Sequence, residues 1–125
     1  MIVDRHSCGG RFAIGSGCYV KNSVNIDITD DVTIVNDVII SDEVLILTHD
    51  HDIEGDRLNI VHSPLMIKSN VFIGVRATIL NSCNYIGCNS VIGACTVVTK
   101  DVPDNVIYAG NPGKIIRKLN VDSTK

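Results

Sequence analysis

The chain has no tryptophan, and aromatic residues make up only 4% of its 125 positions. A core cannot be built around rings, so Val, Ile and small residues must fill it. No apolar run approaches the ~20 residues that cross a bilayer as a helix, so membrane insertion is not expected. The opening MIVDRHSCGG lacks the basic-then-apolar layout of a secretory leader. Cysteine occurs five times, an odd number, with no CxxC pair. That pattern fits reduced thiols in a cytoplasm better than disulfides or a zinc knuckle. Basic residues are outnumbered, giving a net charge of −3 with no interleaving of aromatic and basic side chains. A nucleic-acid partner is therefore not expected. What is present is 45% hydrophobic sequence, enough for one folded domain with a modest core.

The net charge hides an asymmetry. Residues 1–56 carry three bases, Arg5, Arg11 and Lys21, against eleven acids. Residues 57–119 carry seven bases against two acids, Asp101 and Asp104. Such a split arises from solvated loops or from an anionic ligand near the C-terminal half.

Apolar residues recur every sixth position, at Ile2, Cys8, Ile14 and Val20. After a slip of two residues the series continues at Ile28, Ile34, Ile40 and Ile46. It restarts at Ile67, Ile73 and Ile79, slips by one, and ends at Ile86, Ile92 and Val98. A second small or apolar residue lies four places on, as at Val24, Val38, Val71, Cys83, Ser90 and Thr96. A period of six matches neither a helix face nor a heptad. It fits very short strands separated by sharp corners. β-Branched residues suit the strands, and Gly, Asn and Asp suit the corners. Three strands per coil, each stacked on its copy at about 4.8 Å, make a parallel β-helix with an aliphatic ladder inside.

The segment IGCNSVIGACTVVTKDVPDNVIYAGNPGKIIRKL, together with the hexads before it, resembles the hexapeptide-repeat acyltransferases. Within them it is most similar to the sugar O-acetyltransferase branch of galactoside and maltose acetyltransferases. The resemblance covers roughly residues 14–119. It implies an all-β, left-handed parallel β-helix of triangular section, although parallel crossovers elsewhere are almost always right-handed. The helix is expected over 1–104, including a projecting loop at about 47–64, with a tail at 105–125 packed on the helix end. The resemblance also implies an acetyl-CoA-dependent enzyme, a homotrimer and a saccharide or other small-molecule acceptor.

The loop holds LTHDHD, residues 47–52. In the family, the histidine that opens this loop works at a cleft between subunits, and that position is His49 here. A sugar hydroxyl is a weak nucleophile at neutral pH. A neutral imidazole can take its proton as the oxygen attacks a thioester. The other ring nitrogen must be held, and Asp50, Asp52 or a backbone carbonyl are the candidates. His51, two positions on and facing the same way in extended chain, competes for the role. His62 reads as a loop contact and His6 as a surface residue. The family's oxyanion donor, a backbone N–H just after an Ile-Gly, maps to Val75.

For the acyl donor, the resemblance maps a pantetheine groove onto Ala94, Thr99 and Lys100, and nucleotide-phosphate contacts onto Lys114 and Arg117. Lys114 stands where many relatives carry Arg, and Lys supplies charge without the bidentate fork of a guanidinium. Phe72 replaces a Trp common in the branch. On the acceptor side the family uses an Asn on an earlier coil, for which Asn22 is the nearest equivalent, with His51 and Asp50 close to the base. The chain enters its repeat almost at once, without the family's leading helical segment. A more open cleft, suited to a polysaccharide or lipid-linked sugar, is therefore expected, and the bare N-terminal end fits a shortened relative. Cys18 and Cys83 occupy inward positions and read as core filling.

Two other readings share the fold. One is a γ-carbonic-anhydrase-like zinc enzyme using His49, His51 and His62. The other is a non-catalytic trimeric β-helix scaffold. The C-terminal motif fits coenzyme A better than either, so no metal is expected.

Overall fold

The structure is a computed structural model that describes residues 1–4 and 9–120. The expectations for His6 and Cys8 lie outside the described residues. No helix occurs among those described, and the chain winds through about five turns of a β-solenoid.

The first coil contains β1 (Ile2–Asp4), β2 (Phe12–Ile14) and β3 (Tyr19–Val20). The second contains β4 (Asn25–Asp27), β5 (Val32–Ile34) and β6 (Ile39–Ile40). The third starts with β7 (Leu45–Ile46), leaves the coil for β8 (His49–His51) and β9 (Ile60–His62), and resumes with β10 (Leu65–Ile67) and β11 (Phe72–Ile73). The fourth holds β12 (Thr78–Ile79), β13 (Tyr85–Ile86) and β14 (Val91–Ile92). The fifth holds β15 (Val97–Val98), a bridge from Val102 to Ile86, and β16 (Val106–Gly110). Finally β17 (Gly113–Lys118) folds back antiparallel on β16 after the cis Asn111–Pro112 bond. Residues 106–110 thus form the last rung of a face, and the tail beyond them doubles that rung.

The coils stack into three parallel faces, with the Val102 bridge standing in for a strand in the last coil. The first face is β1-β4-β7-β12-β15, the second runs through β2, β5, β10 and β13, and the third through β3, β6, β11, β14 and β16. Registry is residue for residue. Ile26, Ile46, Ile79 and Val98 stack on the first face. Ile14, Ile34, Ile67 and Ile86 stack on the second, and Val20, Ile40, Ile73 and Ile92 on the third. The ladder residues from Ile26 to Val98 are buried almost completely. Each removes from water an aliphatic side chain worth about 1.5–3 kcal/mol. The residues two before them, such as Val24, Val38 and Val71, point inward as well and close the corners.

Two details of the expected series are corrected. The first-face ladder begins at Val3, the residue paired with Ile26, rather than at Ile2. The hexad also runs without a break from Val20 to Ile26, so the two-residue extension falls after Ile26, at Asp27 to Thr29, rather than before Ile28. Ile28 is buried, but in a corner and outside the ladder.

The three edges differ. At the edge between the third and first faces, Ser23, Glu43, Arg76 and Cys95 sit at φ 58–61°, a left-handed corner repeated coil after coil. Between the second and third faces, Asp37, Asn70, Asn89 and Asn105 do the same. There Asn70 Nδ2 donates to Asn89 Oδ1 at 3.0 Å, and Asn89 Nδ2 to Asn105 Oδ1 at 2.7 Å. Asparagine tolerates this region and supplies a side-chain amide for the ladder. The edge between the first and second faces is where the chain departs from strict hexads, and it carries the β8–β9 hairpin.

Candidate active site

The expected excursion at 47–64 is an ordered antiparallel ribbon. His49 lies opposite His62, Asp50 opposite Val61 and His51 opposite Ile60. Strand alternation puts His49 and His51 on one side of the ribbon, with ring centroids 6.4 Å apart, and turns Asp50 to the other.

Against the base of the ribbon lies the two-residue extension of the second coil. Asp27, 7% exposed, ends β4. Its Oδ1 accepts the Thr29 N–H at 3.0 Å and the Thr29 hydroxyl at 2.7 Å. Its Oδ2 accepts the Thr48 N–H at 3.1 Å and pairs closely with His49 Nδ1. Thr29 Oγ1 also lies 3.2 Å from that nitrogen. Burial raises the Asp27 carboxyl, but hydrogen bonds from Thr29, His49 and Thr48 outweigh it and hold the group below the ordinary carboxylate range. An ionised carboxylate can only accept, so Nδ1 of His49 carries the proton and Nε2 is the basic nitrogen.

A second pair braces the ribbon. His62 Nδ1 lies 2.8 Å from Asp30 Oδ2, and the Asp30 N–H donates to Thr48 Oγ1 at 3.0 Å. The Thr48 hydroxyl, fully buried, donates to the Asp27 carbonyl at 2.9 Å. The Ser63 N–H donates to the Thr48 carbonyl at 3.0 Å. His49 is thus fixed to the body of the prism and does not ride on a free loop.

The expected holders of His49 are corrected here. Asp50 Oδ1 accepts the His51 N–H at 2.7 Å, and Asp52 Oδ1 the Gly55 N–H at 3.1 Å. Neither is the residue that holds His49. The group that does so comes from the preceding coil, because stacking places the Asp27 extension against Thr48 and His49.

No family model matches the chain. It is 39% identical over 119 residues to galactoside O-acetyltransferase of Escherichia coli (strain K12), covering 91% of this chain and 57% of that protein. Among solved structures, maltose O-acetyltransferase from Clostridium difficile 630 superposes with a TM-score of 0.82 at 29% identity, covering 97% of this chain and 68% of that one. A galactoside acetyltransferase in complex with coenzyme A gives 0.82 at 30% identity, covering 95% and 65%. The chain belongs to the hexapeptide-repeat acetyltransferases. Its solved neighbours are left-handed β-helices, and this hexapeptide-repeat protein shares their fold. It spans a little over half the length of the galactoside O-acetyltransferase it matches.

The other site residues of this family member fall into separate groups. Val75, Ala94 and Asn22 line the edge between the third and first faces. The Cys95 N–H donates to the Val75 carbonyl at 2.8 Å, and Ala94 N lies 2.7 Å from where a Cβ on Gly74 would sit. Coil stacking therefore places Ala94 against the Val75 corner. Asn22 belongs to an earlier coil, where its N–H donates to Asp42 Oδ1 at 2.9 Å. Within one chain this edge is separated from His49 by the width of the first face, on the order of 15 Å for a hexad of extended backbone. Thr99 and Lys100 lie past β15 on the hairpin edge, in the last coil. Lys100 and Lys114 line one recess with Asp101, Tyr108, Gly113 and Ile115. Arg117, on β17, donates to the Lys118 carbonyl at 3.2 Å and is not part of that recess. Phe72 is 41% exposed on the outer third face, between Ile39 and Val91.

The zinc alternative is not favoured. His51 Nδ1 lies 2.7 Å from the Arg57 carbonyl, and His49 and His62 are held by different aspartates. Among the described residues no group of three or more His, Cys, Asp or Glu side chains is arranged to hold a metal ion. Among the described residues, no helix is long and apolar enough to cross a membrane.

Sequence reasoning passed over Asp27, Thr29 and Asp30. The signal was the slip in the hexad series. The two extra residues lengthen the corner just after Asp27, the last residue of β4, and bring Thr29 beside it.

Proposed function

We propose that the protein transfers an acetyl group from acetyl-CoA to a hydroxyl of a sugar or polysaccharide precursor, with His49 as general base. The observation that carries this reading is the imidazole fixed through Nδ1 by a buried carboxylate, which sets Nε2 as the proton acceptor. In the proposed reaction the acceptor hydroxyl gives its proton to Nε2 as its oxygen bonds to the thioester carbonyl carbon. The tetrahedral intermediate collapses, the C–S bond breaks, and the imidazolium returns the proton to the departing thiolate. The negative charge on Asp27 stabilises the imidazolium between the two steps.

Two groups needed for this reaction lie on opposite edges of one prism, which supports a site at the seam of a homotrimer. The His49 edge of one subunit then meets the Val75 edge of the next. The Val75 N–H serves as oxyanion donor, and Ala94, Thr99, Lys100, Lys114 and Arg117 hold the donor. Asn22, His51 and Asp50 face the acceptor. Reduced thiols and the relatives' chemistry support a cytoplasmic location. A bare trimeric scaffold leaves the buried Asp27–His49 arrangement without a purpose.

The test is thiol release from acetyl-CoA with a panel of sugars, comparing wild type with His49→Ala and His51→Ala. His49→Ala is expected to lose at least about a hundredfold in turnover. A loss below about threefold, or a larger loss in His51→Ala, would remove His49 from the role.

A further inference from the structure

The β8–β9 ribbon carries a second imidazole beside the proposed base, and the two rings are held differently. His49 and His51 lie on one side of the ribbon, with centroids 6.4 Å apart and planes at 64°. Nδ1 of His49 is held by the Asp27 carboxylate. Nδ1 of His51 lies 2.7 Å from the Arg57 carbonyl. A carbonyl only accepts, so His51 donates from Nδ1, and in the neutral ring Nε2 then carries the lone pair.

The tip of the ribbon is shaped to present that carbonyl. The Asp52 N–H donates to the Asn59 carbonyl at 2.9 Å, and the Asn59 N–H to the Asp56 carbonyl at 2.9 Å. The Leu58 N–H donates to Asp56 Oδ1 at 3.0 Å, and Arg57 Nε to the Ile53 carbonyl at 3.1 Å. These bonds fold residues 52–59 back on themselves and set the Arg57 carbonyl against His51. The backbone thus selects the tautomer of a side chain that is itself exposed.

A carbonyl and a carboxylate prepare a ring for different tasks. Asp27 brings a full negative charge that steadies an imidazolium, which suits His49 to taking a proton. The Arg57 carbonyl brings direction without that charge, which suits His51 to accepting a hydrogen bond. A hydroxyl bonded to either ring sits about 2.8 Å from its Nε2. With the centroids this close and the planes far from parallel, two hydroxyls of one sugar can meet the two rings together. Ile60 stands directly opposite His51 in the ribbon and offers a half-buried apolar surface for the C–H face of such a sugar.

We propose that His51 is a specificity residue that accepts a hydrogen bond from a second hydroxyl of the acceptor, on the next carbon to the reacting one or the carbon after it. The inference rests on reading His49 as the base of an acetyl transfer. One hydroxyl gives its proton to His49 and becomes the ester. Its neighbour stays a hydroxyl and aims the sugar. The acceptor class is therefore a diol, and an alcohol without the neighbouring hydroxyl meets only one of the two rings.

The experiment measures thiol release from acetyl-CoA with methyl galactoside, methyl glucoside and each of their monodeoxy analogues. The proteins are wild type, His49→Ala, His51→Phe and His51→Gln. Removing one particular hydroxyl near the acetylated position should lower wild-type kcat/KM about tenfold. His51→Phe should lose about tenfold with the parent glycoside and less than about twofold with the analogue that lacks that hydroxyl. His51→Gln, whose amide oxygen accepts, should recover part of the loss, and KM for acetyl-CoA should stay within about twofold in both variants. Nitrogen NMR of the histidine rings should show neutral His51 protonated at Nδ1, a readout that needs no turnover. An equal loss in His51→Phe with the parent and every analogue, or neutral His51 protonated at Nε2, would overturn the proposal. The transfer reading would then stand if His49→Ala still lost about a hundredfold. A loss of about a hundredfold in His51→Phe on every acceptor, with His49→Ala near wild type, would make His51 the base and end both readings. Turnover of no glycoside by wild type would also end both.

Discussion

Replacing Asp27 by asparagine exchanges an acceptor-only group for one with an acceptor and a donor side. The carboxylate takes two donors on Oδ1, both from Thr29, and two on Oδ2, from Thr48 and His49. Whichever way the amide faces, its NH2 meets two groups that were donating. Each side offers one backbone N–H that cannot adapt, from Thr29 or from Thr48, and one group that can, the Thr29 hydroxyl or His49. With the NH2 toward His49, the ring must accept at Nδ1, and its Nε2 then carries the proton and cannot take another. With the NH2 toward Thr29, Nδ1 still donates, but the imidazolium loses its stabilising negative charge, so the Asp27→Asn variant weakens the base in either orientation. General-base catalysis is worth about 10²–10⁴-fold, so kcat should fall by roughly 10²–10³. KM for acetyl-CoA should stay within about twofold, because Asp27 is at no donor contact. Thr29→Val, which removes the hydroxyl that donates to Asp27 Oδ1 and lies beside Nδ1, should cost about threefold to tenfold. The assay is steady-state thiol release across pH for wild type, Asp27→Asn and Asp27→Glu. A kcat for Asp27→Asn within about threefold of wild type would refute the dyad.

Other consequences are less elaborate. Ile73→Ala empties a fully buried position in the middle of the third-face ladder and should cost about 2–5 kcal/mol in chemical denaturation, against less than about 1 kcal/mol for exposed Phe72→Leu. Because the folded Asp27 carboxyl ionises below its ordinary 3.8, its charged form stabilises the fold at neutral pH. That contribution is complete above pH 3.8 and is lost as pH falls through the lower folded value, so Asp27→Asn should flatten the acid limb of the stability curve. Burial pushes the Cys83 thiol up to about 12. Thiol reagent at about pH 8 should label Cys83 only when the protein unfolds, as peptide mapping will show.

The fold was legible because the six-residue period is itself the geometry: one aliphatic per face, a corner, and the next. Ile34, Ile40 and Ile46 could be assigned to three faces without any tertiary information. The excursion at 47–64 was legible as a break in that rhythm, and its histidines as a dense polar cluster between two aliphatic ladders. The partner of His49 was not. Asp27 is over twenty residues away, and nothing local marks it, since Asp50 and Asp52 are nearer in sequence and of the same type. Only stacking, which brings the end of β4 beside the end of β7, selects it. The slip was placed two residues early for a related reason: Ile26 and Ile28 are both apolar and both buried, and sequence cannot tell the ladder residue from the corner one. Left-handed corners at Glu43, Arg76 and Cys95 were equally hidden, because none of these residue types prefers that conformation.

The seam between subunits is the claim on which the remaining roles depend, and mixed trimers test it most directly. His49→Ala damages the hairpin edge and leaves the opposite edge intact. Ala94→Glu, at an exposed position, puts a charge into the opposite edge and leaves His49 intact. Each variant alone should be inactive. Unfolded together in equal amounts and refolded, they should regain about a quarter of wild-type turnover, because a random trimer pairs an intact His49 edge with an intact neighbouring edge at one seam in four. Turnover no higher than that of the two variants refolded separately would show that His49 and its acyl donor share a single chain.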